Sequence, residues 1–305
     1  MQRFGIIANP VSHSLSPKLY SAAFEKYHID ATFEPILLQE SELEGFLQAM
    51  RKGDSNAHGG AFDGLAVSHP FKEPCLKLMD EVDPVAQAIG AINTIKRVAD
   101  PAHPETGARL IGYNTDWCGV EKSIDVALAQ SRKPIASLKW KRILVLGAGG
   151  VARSAIYSFT KAGAHVFICN RTEEKGRKLA EKFGGEYISP SIFQYHEDSH
   201  EVSHENSPEI FDLIFQGTSL GMNGNAITQD ISPLPISFWE EHGNGIAIES
   251  IYHPRMTRFL READRAGWNI VVADHLFIGQ AMKQFEILTG IAPDENFFQS
   301  ILADF

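Results

Sequence analysis

Cysteine is scarce in this chain: three residues, Cys75, Cys118 and Cys169, in a length of 305. They are odd in number and widely separated, and no C-x-x-C pair occurs. Neither a disulfide framework nor a cysteine zinc site is indicated. Basic charge is also in deficit, with 28 Lys and Arg against 38 Asp and Glu and a net charge of −10. Nucleic-acid binding needs a basic surface, so this balance argues against such a partner. It says nothing against a small anionic substrate, for which a few local basic groups decide. Long apolar runs are missing as well. No stretch approaches the roughly 20 residues of a membrane span. The apolar run from Phe4 to Ala8 is too short for a signal peptide and stops at Asn9-Pro10. These absences lead us to expect a reduced, cytoplasmic compartment and no membrane partner. Internal repeats are absent too. What remains, 44% hydrophobic and 22% charged, is ordinary for a globular protein, and the length suffices for two domains.

Strand and helix patterns alternate from end to end, which predicts an α/β protein with a mainly parallel sheet. Phe4 to Ala8 reads as a strand and Pro17 to Tyr27 as a helix. Ala31 to Leu38 reads as a second strand, with Pro35 placing it at a sheet edge because proline cannot donate to a ladder. Glu42 to Met50 is amphipathic, and Ser41 with Glu44 fits a capping box in front of it. Further strands are expected at Phe62–Val67, Ala91–Val98, Arg142–Leu146, His165–Asn170, Asp212–Phe215, Ile246–Ile251 and Trp268–Val272. Helices are expected at Val151–Ala162, His275–Leu288 and Glu295–Leu302. The polar stretch Ser131 to Ser137 breaks this rhythm before the strand at Arg142.

That strand runs into Gly147-Ala148-Gly149-Gly150-Val151-Ala152, a G-x-G-x-x-A turn that opens a helix. Gly147 permits the tight turn, Gly149 lets the backbone approach a pyrophosphate, and Ala152 keeps the helix close to the sheet. The helix N-terminus then offers unpaired N–H groups to the anion. A tight turn with no ligand is the plainer alternative. About 20 residues on, where an NAD site usually carries a carboxylate for the ribose hydroxyl, the chain has Asn170-Arg171-Thr172, with Lys175 beyond. A carboxylate would repel a 2′-phosphate, whereas a guanidinium can clamp it bidentately. The pattern therefore reads as an NADP site, and NADP implies redox chemistry. Elsewhere, His196, His200 and His204 repeat at a spacing of four and would share a helix face able to hold a metal. Their surroundings are almost free of apolar residues, which favours a polar surface loop and no metal.

Several short segments occur in an order that resembles the shikimate dehydrogenase family. They are Asn9-Pro10-Val11-Ser12-His13-Ser14-Leu15-Ser16-Pro17, Val67-Ser68-His69-Pro70-Phe71-Lys72, Gly90-Ala91-Ile92-Asn93-Thr94 and Gly112-Tyr113-Asn114-Thr115-Asp116. Beyond the glycine turn, Thr218-Ser219-Leu220-Gly221-Met222, Tyr252-His253-Pro254-Arg255-Met256-Thr257 and Gln280 to Gly290 continue the likeness over nearly the whole chain. The resemblance implies a two-domain protein. Residues 1–120, completed by the helices of 275–305, would form an α/β substrate domain, and residues 121–274 a Rossmann-like NADP domain. It implies reversible reduction of 3-dehydroshikimate to shikimate with NADPH, in aromatic amino-acid biosynthesis, by a monomer or homodimer. Relaxed quinate/shikimate use and a non-catalytic metabolite sensor are the rival readings.

The residues carry their own chemistry beside the name. Oxidising an alcohol removes a hydride from carbon and a proton from oxygen. The cofactor takes the hydride, so the protein must handle the proton. Lys72 and Asp116 suit that task, Lys72 at the reacting oxygen and Asp116 orienting its ammonium, although each alone could be an ordinary surface charge. Ser14 and Ser16 stand at the opening of a helix. Ser16 has the makings of an ordinary N-cap, with Pro17 at the first helical position, and the family assigns both hydroxyls to a carboxylate. Ser68, Asn93 and Gln280 are neutral hydrogen-bonders suited to a substrate with several hydroxyls, while Asn93 also fits a turn. The resemblance adds Tyr252 at the substrate edge and Thr218, Leu220 and Met222 near the nicotinamide. Departures occur as well. Ser68 replaces a usual threonine, Ala66 an asparagine, Gln216-Gly217 an Asn-Ala pair and Glu249 an aspartate, and Val272 to Phe277 departs from a glycine-rich run.

Overall fold

The computed structural model describes residues 1–12, 14–53, 62–100, 107–130, 137–193, 210–223, 228–241 and 244–303. The chain forms two compact units, Met1–Cys118 with Ile278–Phe305, and Gly119–Phe277. Each is an α/β unit built on its own sheet of six strands. The stretch 131–136 and the three histidines at 196, 200 and 204 lie outside the described residues.

The first unit runs β1 (Gln2–Ala8), α1 (Ser16–Lys26), β2 (Ala31–Leu37), a 3-10 turn (Glu40–Glu42), α2 (Leu43–Lys52), β3 (Gly64–Val67), α3 (Lys72–Leu76), β4 (Glu81–Val82), α4 (Pro84–Ile89), β5 (Thr94–Ala99) and β6 (Ala108–Tyr113). Its sheet order is β2-β1-β3-β5-β6-β4. β2 is an edge strand, as Pro35 requires. Pairing is parallel except around β5, which runs antiparallel to both β3 and β6. α5 (Asp116–Gln130) leads into the second unit.

Two local expectations need correction. Helix α1 opens at Ser16 itself, after Leu15, so Ser16 is its first residue rather than its cap. Ser14 Oγ instead accepts the Ser16 N–H at 3.3 Å. The capping box lies two residues earlier than Ser41 and Glu44. Gln39 and Glu42 exchange the bonds, with the Gln39 N–H donating to Glu42 Oε2 at 2.8 Å, because a 3-10 turn precedes α2.

The second unit runs β7 (Arg142–Leu146), α6 (Gly150–Lys161), β8 (His165–Cys169), α7 (Glu173–Phe183), β9 (Glu186–Ile188), β10 (Leu213–Gln216), α8 (Ile236–Glu241), β11 (Ile246–Glu249), α9 (Arg258–Arg265) and β12 (Asn269–Val271). All its pairings are parallel, in the order β12-β11-β10-β7-β8-β9. That is the doubly wound Rossmann arrangement, with its switch point between β7 and β10. Strands buried on both faces read as apolar runs, as in Ile143-Leu144-Val145-Leu146, all 2% exposed or less. One face packs on α6 through Ala152, Ala155, Ile156 and Phe159. The other packs on Phe238, Trp239, Phe259 and Trp268, with the two indole rings edge to face at 5.2 Å. Each such ring contributes on the order of 1.5–3 kcal/mol by leaving water.

The chain ends in α10 (Asp274–Thr289) and α11 (Glu295–Ala303). From Ile278 onward these helices are part of the first unit. The Tyr20 ring of α1 stacks on Phe285 of α10, and Phe298 of α11 meets Phe285 edge on. Lys96 of β5 donates to the Ile287 carbonyl at 2.6 Å, satisfying an orphan acceptor in the last turn of α10.

Candidate active site

The topology of the first sheet gathers Ser14, Ser16, Ser68, Lys72, Asn93 and Asp116 at one end, whereas Tyr252 belongs to the second unit. β1 and β3 run parallel, so the segments leaving them, with Ser14 and Ser16 on one and Ser68 and Lys72 on the other, start from the same end. β5 is antiparallel, so its beginning, next to Asn93, lies at that end too. β6 finishes there, with Tyr113 paired to Thr94, and delivers Asp116. The antiparallel strand is what lets a residue before a strand join residues that follow strands.

Four of these side chains form one hydrogen-bonded group. Lys72 Nζ donates to Asp116 Oδ2 at 2.6 Å, and the two side chains are 20% and 4% exposed. Asn93 Nδ2 donates to Asp116 Oδ1 at 2.9 Å, to Thr115 Oγ1 at 2.8 Å and to Gln280 Oε1 at 3.3 Å. The orientation of the Asn93 amide is fixed from its other side, where Oδ1 accepts the Thr115 N–H at 2.8 Å and the Thr94 hydroxyl at 2.9 Å. Asp116 itself opens α5, and its N–H donates to Asn114 Oδ1 at 3.0 Å. Both carboxylate oxygens are thus engaged, one by an ammonium and one by an amide. This leaves the Lys72 ammonium steered by a nearly buried anion and with one-fifth of its side-chain surface open. Ser68 follows β3 and is half-buried, its N–H donating to the Ile7 carbonyl at 2.9 Å. Ser14 and Ser16 bond to each other at the start of α1.

Thr94, Asn114, Thr115 and Gln284 belong to this network and were not singled out from the sequence. The first three sit inside the G-A-I-N-T and G-Y-N-T-D segments. Gln284 lies one helical turn after Gln280 and is 2% exposed; an amide at a position that helical spacing buries was the available signal.

In the second unit the fingerprint and its neighbours collect at the C-terminal ends of parallel strands. Gly147 follows β7 with φ at +107°, and a Cβ there would meet the Gly217 carbonyl oxygen at 2.9 Å. Only glycine serves at that position. A Cβ on Gly149, by contrast, would have nothing within 4 Å. Gly149 caps α6 in extended conformation, so its backbone faces open space next to the helix start. Gly150 and Val151 form the first turn of α6 together with Ala152, which is fully buried, while Ala148 is 6% exposed. Such a bare backbone cradle at the N-terminus of a twelve-residue helix fits a pyrophosphate. Beyond β8, Asn170 Nδ2 donates to the Thr172 carbonyl at 2.8 Å, bracing the turn, and Arg171, Thr172 and Lys175 are exposed around the start of α7.

After β10, Thr218 donates through its N–H and its hydroxyl to Gln216 Oε1, at 2.9 and 3.0 Å. Met222 is 40% exposed. After β11, Tyr252 is half-buried, its ring 5.4 Å from that of Phe277. Glu249, fully buried at the end of β11, accepts the Ser250 and Ile251 N–H groups on Oε1 and the Thr257 hydroxyl on Oε2 at 2.7 Å. Burial pushes its carboxyl up to about 8, against the pull of those hydrogen bonds. Among the described residues no cluster of His, Cys, Asp and Glu is arranged to hold a metal, and no helix is long and apolar enough to cross a membrane.

Comparison with known proteins bears on the whole length. The shikimate dehydrogenase substrate binding domain matches residues 6–95, and the shikimate / quinate 5-dehydrogenase family matches residues 127–202. A chloroplastic bifunctional 3-dehydroquinate dehydratase/shikimate dehydrogenase of Arabidopsis thaliana is 35% identical over 97% of this chain, which spans 45% of that longer protein. The NADP(+) shikimate dehydrogenase of Syntrophobacter fumaroxidans is 34% identical, covering 93% of this chain and 85% of its own length. The crystal structure of shikimate 5-dehydrogenase from Thermus thermophilus, in complex with NADP(H) and shikimate, superposes with a TM-score of 0.78 at 30% identity, over 100% of this chain and 99% of that one.

Proposed function

The chain belongs to the shikimate dehydrogenase family, and from that premise we propose that it oxidises shikimate to 3-dehydroshikimate with NADP and runs the reverse reduction with NADPH, as a step of aromatic amino-acid biosynthesis. The observation that carries this reading is the Lys72–Asp116 pair at 2.6 Å, braced by Asn93. We assign the substrate to the first unit, Met1–Cys118 with Ile278–Phe305, and the cofactor to the second, Gly119–Phe277.

Bound NADP supplies a ring that accepts or returns a hydride. The residues fitted to hold it are Gly147, Ala148, Gly149, Gly150, Val151 and Ala152 at the pyrophosphate. Asn170, Arg171, Thr172 and Lys175 serve the 2′-phosphate, and Thr218 and Met222 the nicotinamide side. The chain's own chemistry concerns the proton. In the reductive direction Lys72 donates a hydrogen bond to the carbonyl oxygen, stabilises the charge that develops there and yields its proton to the alkoxide. In the oxidative direction the same nitrogen receives the proton of the hydroxyl. Asp116 keeps the ammonium aimed, and Asn93 keeps Asp116 aimed. Gln280 and Ser68 answer the substrate's hydroxyls, and Ser14 and Ser16 its carboxylate. The enzyme acts on a small molecule. We place it in the cytoplasm as a monomer or homodimer, with neither nucleic acid nor membrane as partner.

The test is the initial rate of nicotinamide reduction with shikimate or quinate, each with NADP or NAD. Activity confined to shikimate with NADP is the expected result. Equal turnover of quinate would make the protein a relaxed quinate/shikimate dehydrogenase. Silence in all four mixtures, with ligand binding retained, would make it a metabolite sensor.

A further inference from the structure

Two buried polar side chains in the second unit take no part in the proposed reaction, yet direct their side-chain hydrogen bonds to loops that carry assigned residues. Gln216 and Glu249 end the adjacent parallel strands β10 and β11 and are partners on the same rung of the sheet. Both are 0% exposed. Gln216 Oε1 accepts two bonds from Thr218, and its Nε2 donates to the Leu220 carbonyl at 2.9 Å. Glu249 accepts from Ser250 at 2.8 Å, Ile251 at 3.0 Å and Thr257 at 2.7 Å. The Oε2–Thr257 contact persists whichever oxygen carries the proton.

The two loops are also tied to each other. The Ser250 N–H donates to the Gln216 carbonyl at 3.1 Å, and the Asn223 N–H to the His253 carbonyl at 2.9 Å. Gly221, with φ at +96°, lies so close that a Cβ there would stand 3.4 Å from Thr257 Cβ. Because both side chains are 0% exposed, turning either one breaks several hydrogen bonds at once and leaves its own polar atoms unpaired. Neither loop can then shift without breaking bonds to the other. Both positions depart in the same sense from the shorter asparagine and aspartate noted above, each by one methylene on one rung of the sheet.

We propose that Gln216 and Glu249 are positioning residues that join segments 217–223 and 250–257 into a single rigid piece, fixing the spacing of Thr218 and Met222 relative to Tyr252. The catalytic consequence rests on the function proposed above; the mechanical one does not.

The test uses the full-length protein and Thr257→Val, which removes the hydroxyl that Glu249 holds and that also caps α9 by accepting the Leu260 N–H at 3.3 Å, with Thr257→Ser as the conservative control that keeps both bonds. Gln216→Leu probes the coupling from the opposite side and serves if Thr257→Val does not fold. Amide hydrogen exchange is followed in the ligand-free protein, and kcat and KM in the shikimate–NADP assay. Thr257→Val is expected to speed exchange about tenfold in 217–223 as well as in 250–257. It should lower kcat about tenfold with KM for NADP within about threefold, and Thr257→Ser should restore both. Gln216→Leu should speed exchange in 250–257. Loosening confined to the mutated loop overturns the proposal, as does unchanged kcat with both loops loosened. A wild-type protein that does not turn over shikimate overturns the proposed function while the exchange data still decide the coupling.

Discussion

Asparagine at position 116 is the most informative single change at the Lys72–Asp116 pair. It preserves shape and removes only charge. In the native site Oδ2 receives the Lys72 ammonium at 2.6 Å and Oδ1 receives the Asn93 amide at 2.9 Å. An asparagine has one oxygen for these two donors. If that oxygen faces Lys72, its NH2 confronts the Asn93 NH2. Asn93 cannot turn to accept, because its own oxygen already holds the Thr115 N–H and the Thr94 hydroxyl. If the oxygen faces Asn93, the ammonium meets a donor. Either arrangement loses one charge-assisted bond, worth about 1.5–3 kcal/mol, and leaves a buried donor unpaired at about 1–3 kcal/mol. Part of that cost falls on the ground state as well. A loss of about 3 kcal/mol in the transition state corresponds to a roughly 100-fold fall in kcat.

The assay is steady-state oxidation of shikimate by Asp116→Asn, Lys72→Ala and the double variant, with thermal unfolding as the control for folding. Lys72→Ala should lower kcat by orders of magnitude with a smaller change in KM. Because Asp116 acts through Lys72, adding Asp116→Asn to Lys72→Ala should cost less than about threefold more. Additive losses, or an Asp116→Asn enzyme within about threefold of wild type, would refute the steering role.

Arg171→Ala should raise KM for NADP far more than for NAD, measured as the ratio of kcat/KM values; equal effects would count against a 2′-phosphate clamp. The two fingerprint glycines should separate stability from binding. Gly147→Ala, strained at φ +107° and meeting the Gly217 carbonyl, should cost about 1 kcal/mol or more in chemical denaturation. Gly149→Ala, with nothing within 4 Å of the new methyl, should unfold like wild type and bind NADP more weakly. Glu249 gives a pH signature. Its folded carboxyl is raised from 4.5 to about 8, so the native state holds a proton there that the unfolded chain releases. This contribution is fully present below pH 4.5 and is lost as pH rises toward 8. The stability of wild type relative to Glu249→Gln should therefore decline across that window by up to about 1.4 kcal/mol per pH unit; a difference that stays flat would show the group ionised throughout.

Much of this architecture was legible because its signals are local. Ile143 to Ala152 declares a buried strand, a glycine turn and a helix in one breath, and Pro35 declares an edge. Boundaries suffered where local chemistry has near-equal solutions. Gln39 with Glu42 makes as good a capping box as Ser41 with Glu44, and a 3-10 turn chose between them. The strand expected from Ala91 begins at Thr94, because Ala91 to Asn93 are drawn into contacts with α3 and α5, such as the Ile92 N–H to the Lys72 carbonyl and Asn93 Nδ2 to Asp116. Short strands such as β4 and β9 carry too few residues to show a period. At the site, the residues presented by the loops were readable from their segments. Those that hold the loops were not. Gln284 and Glu249 are buried polar groups whose partners lie elsewhere in the chain or across a loop, and nothing in a linear pattern marks a buried amide as satisfied.

On the function proposed here, those holding residues would account for how one end of a sheet grips a polyhydroxylated acid. The Tyr20 hydroxyl on α1 donates to Gln284 Oε1 at 2.8 Å, and Gln284 Nε2 donates to Thr94 Oγ1 at 2.7 Å. The Thr94 hydroxyl donates to Asn93 Oδ1 at 2.9 Å, and Asn93 Nδ2 to Asp116 Oδ1, also at 2.9 Å. Every donor points the same way, toward the carboxylate that steers Lys72. The chain begins on the helix whose first turn carries Ser16 and passes through the helix that carries Gln280. On the function proposed here, the groups assigned to the carboxylate, to the hydroxyls and to the proton are therefore fixed to one another by buried hydrogen bonds, rather than by loop conformation alone. On that reading, a substrate differing by one ring hydroxyl would meet donors and acceptors already committed to one another, and the penalty for an unmatched buried polar group would fall on that substrate.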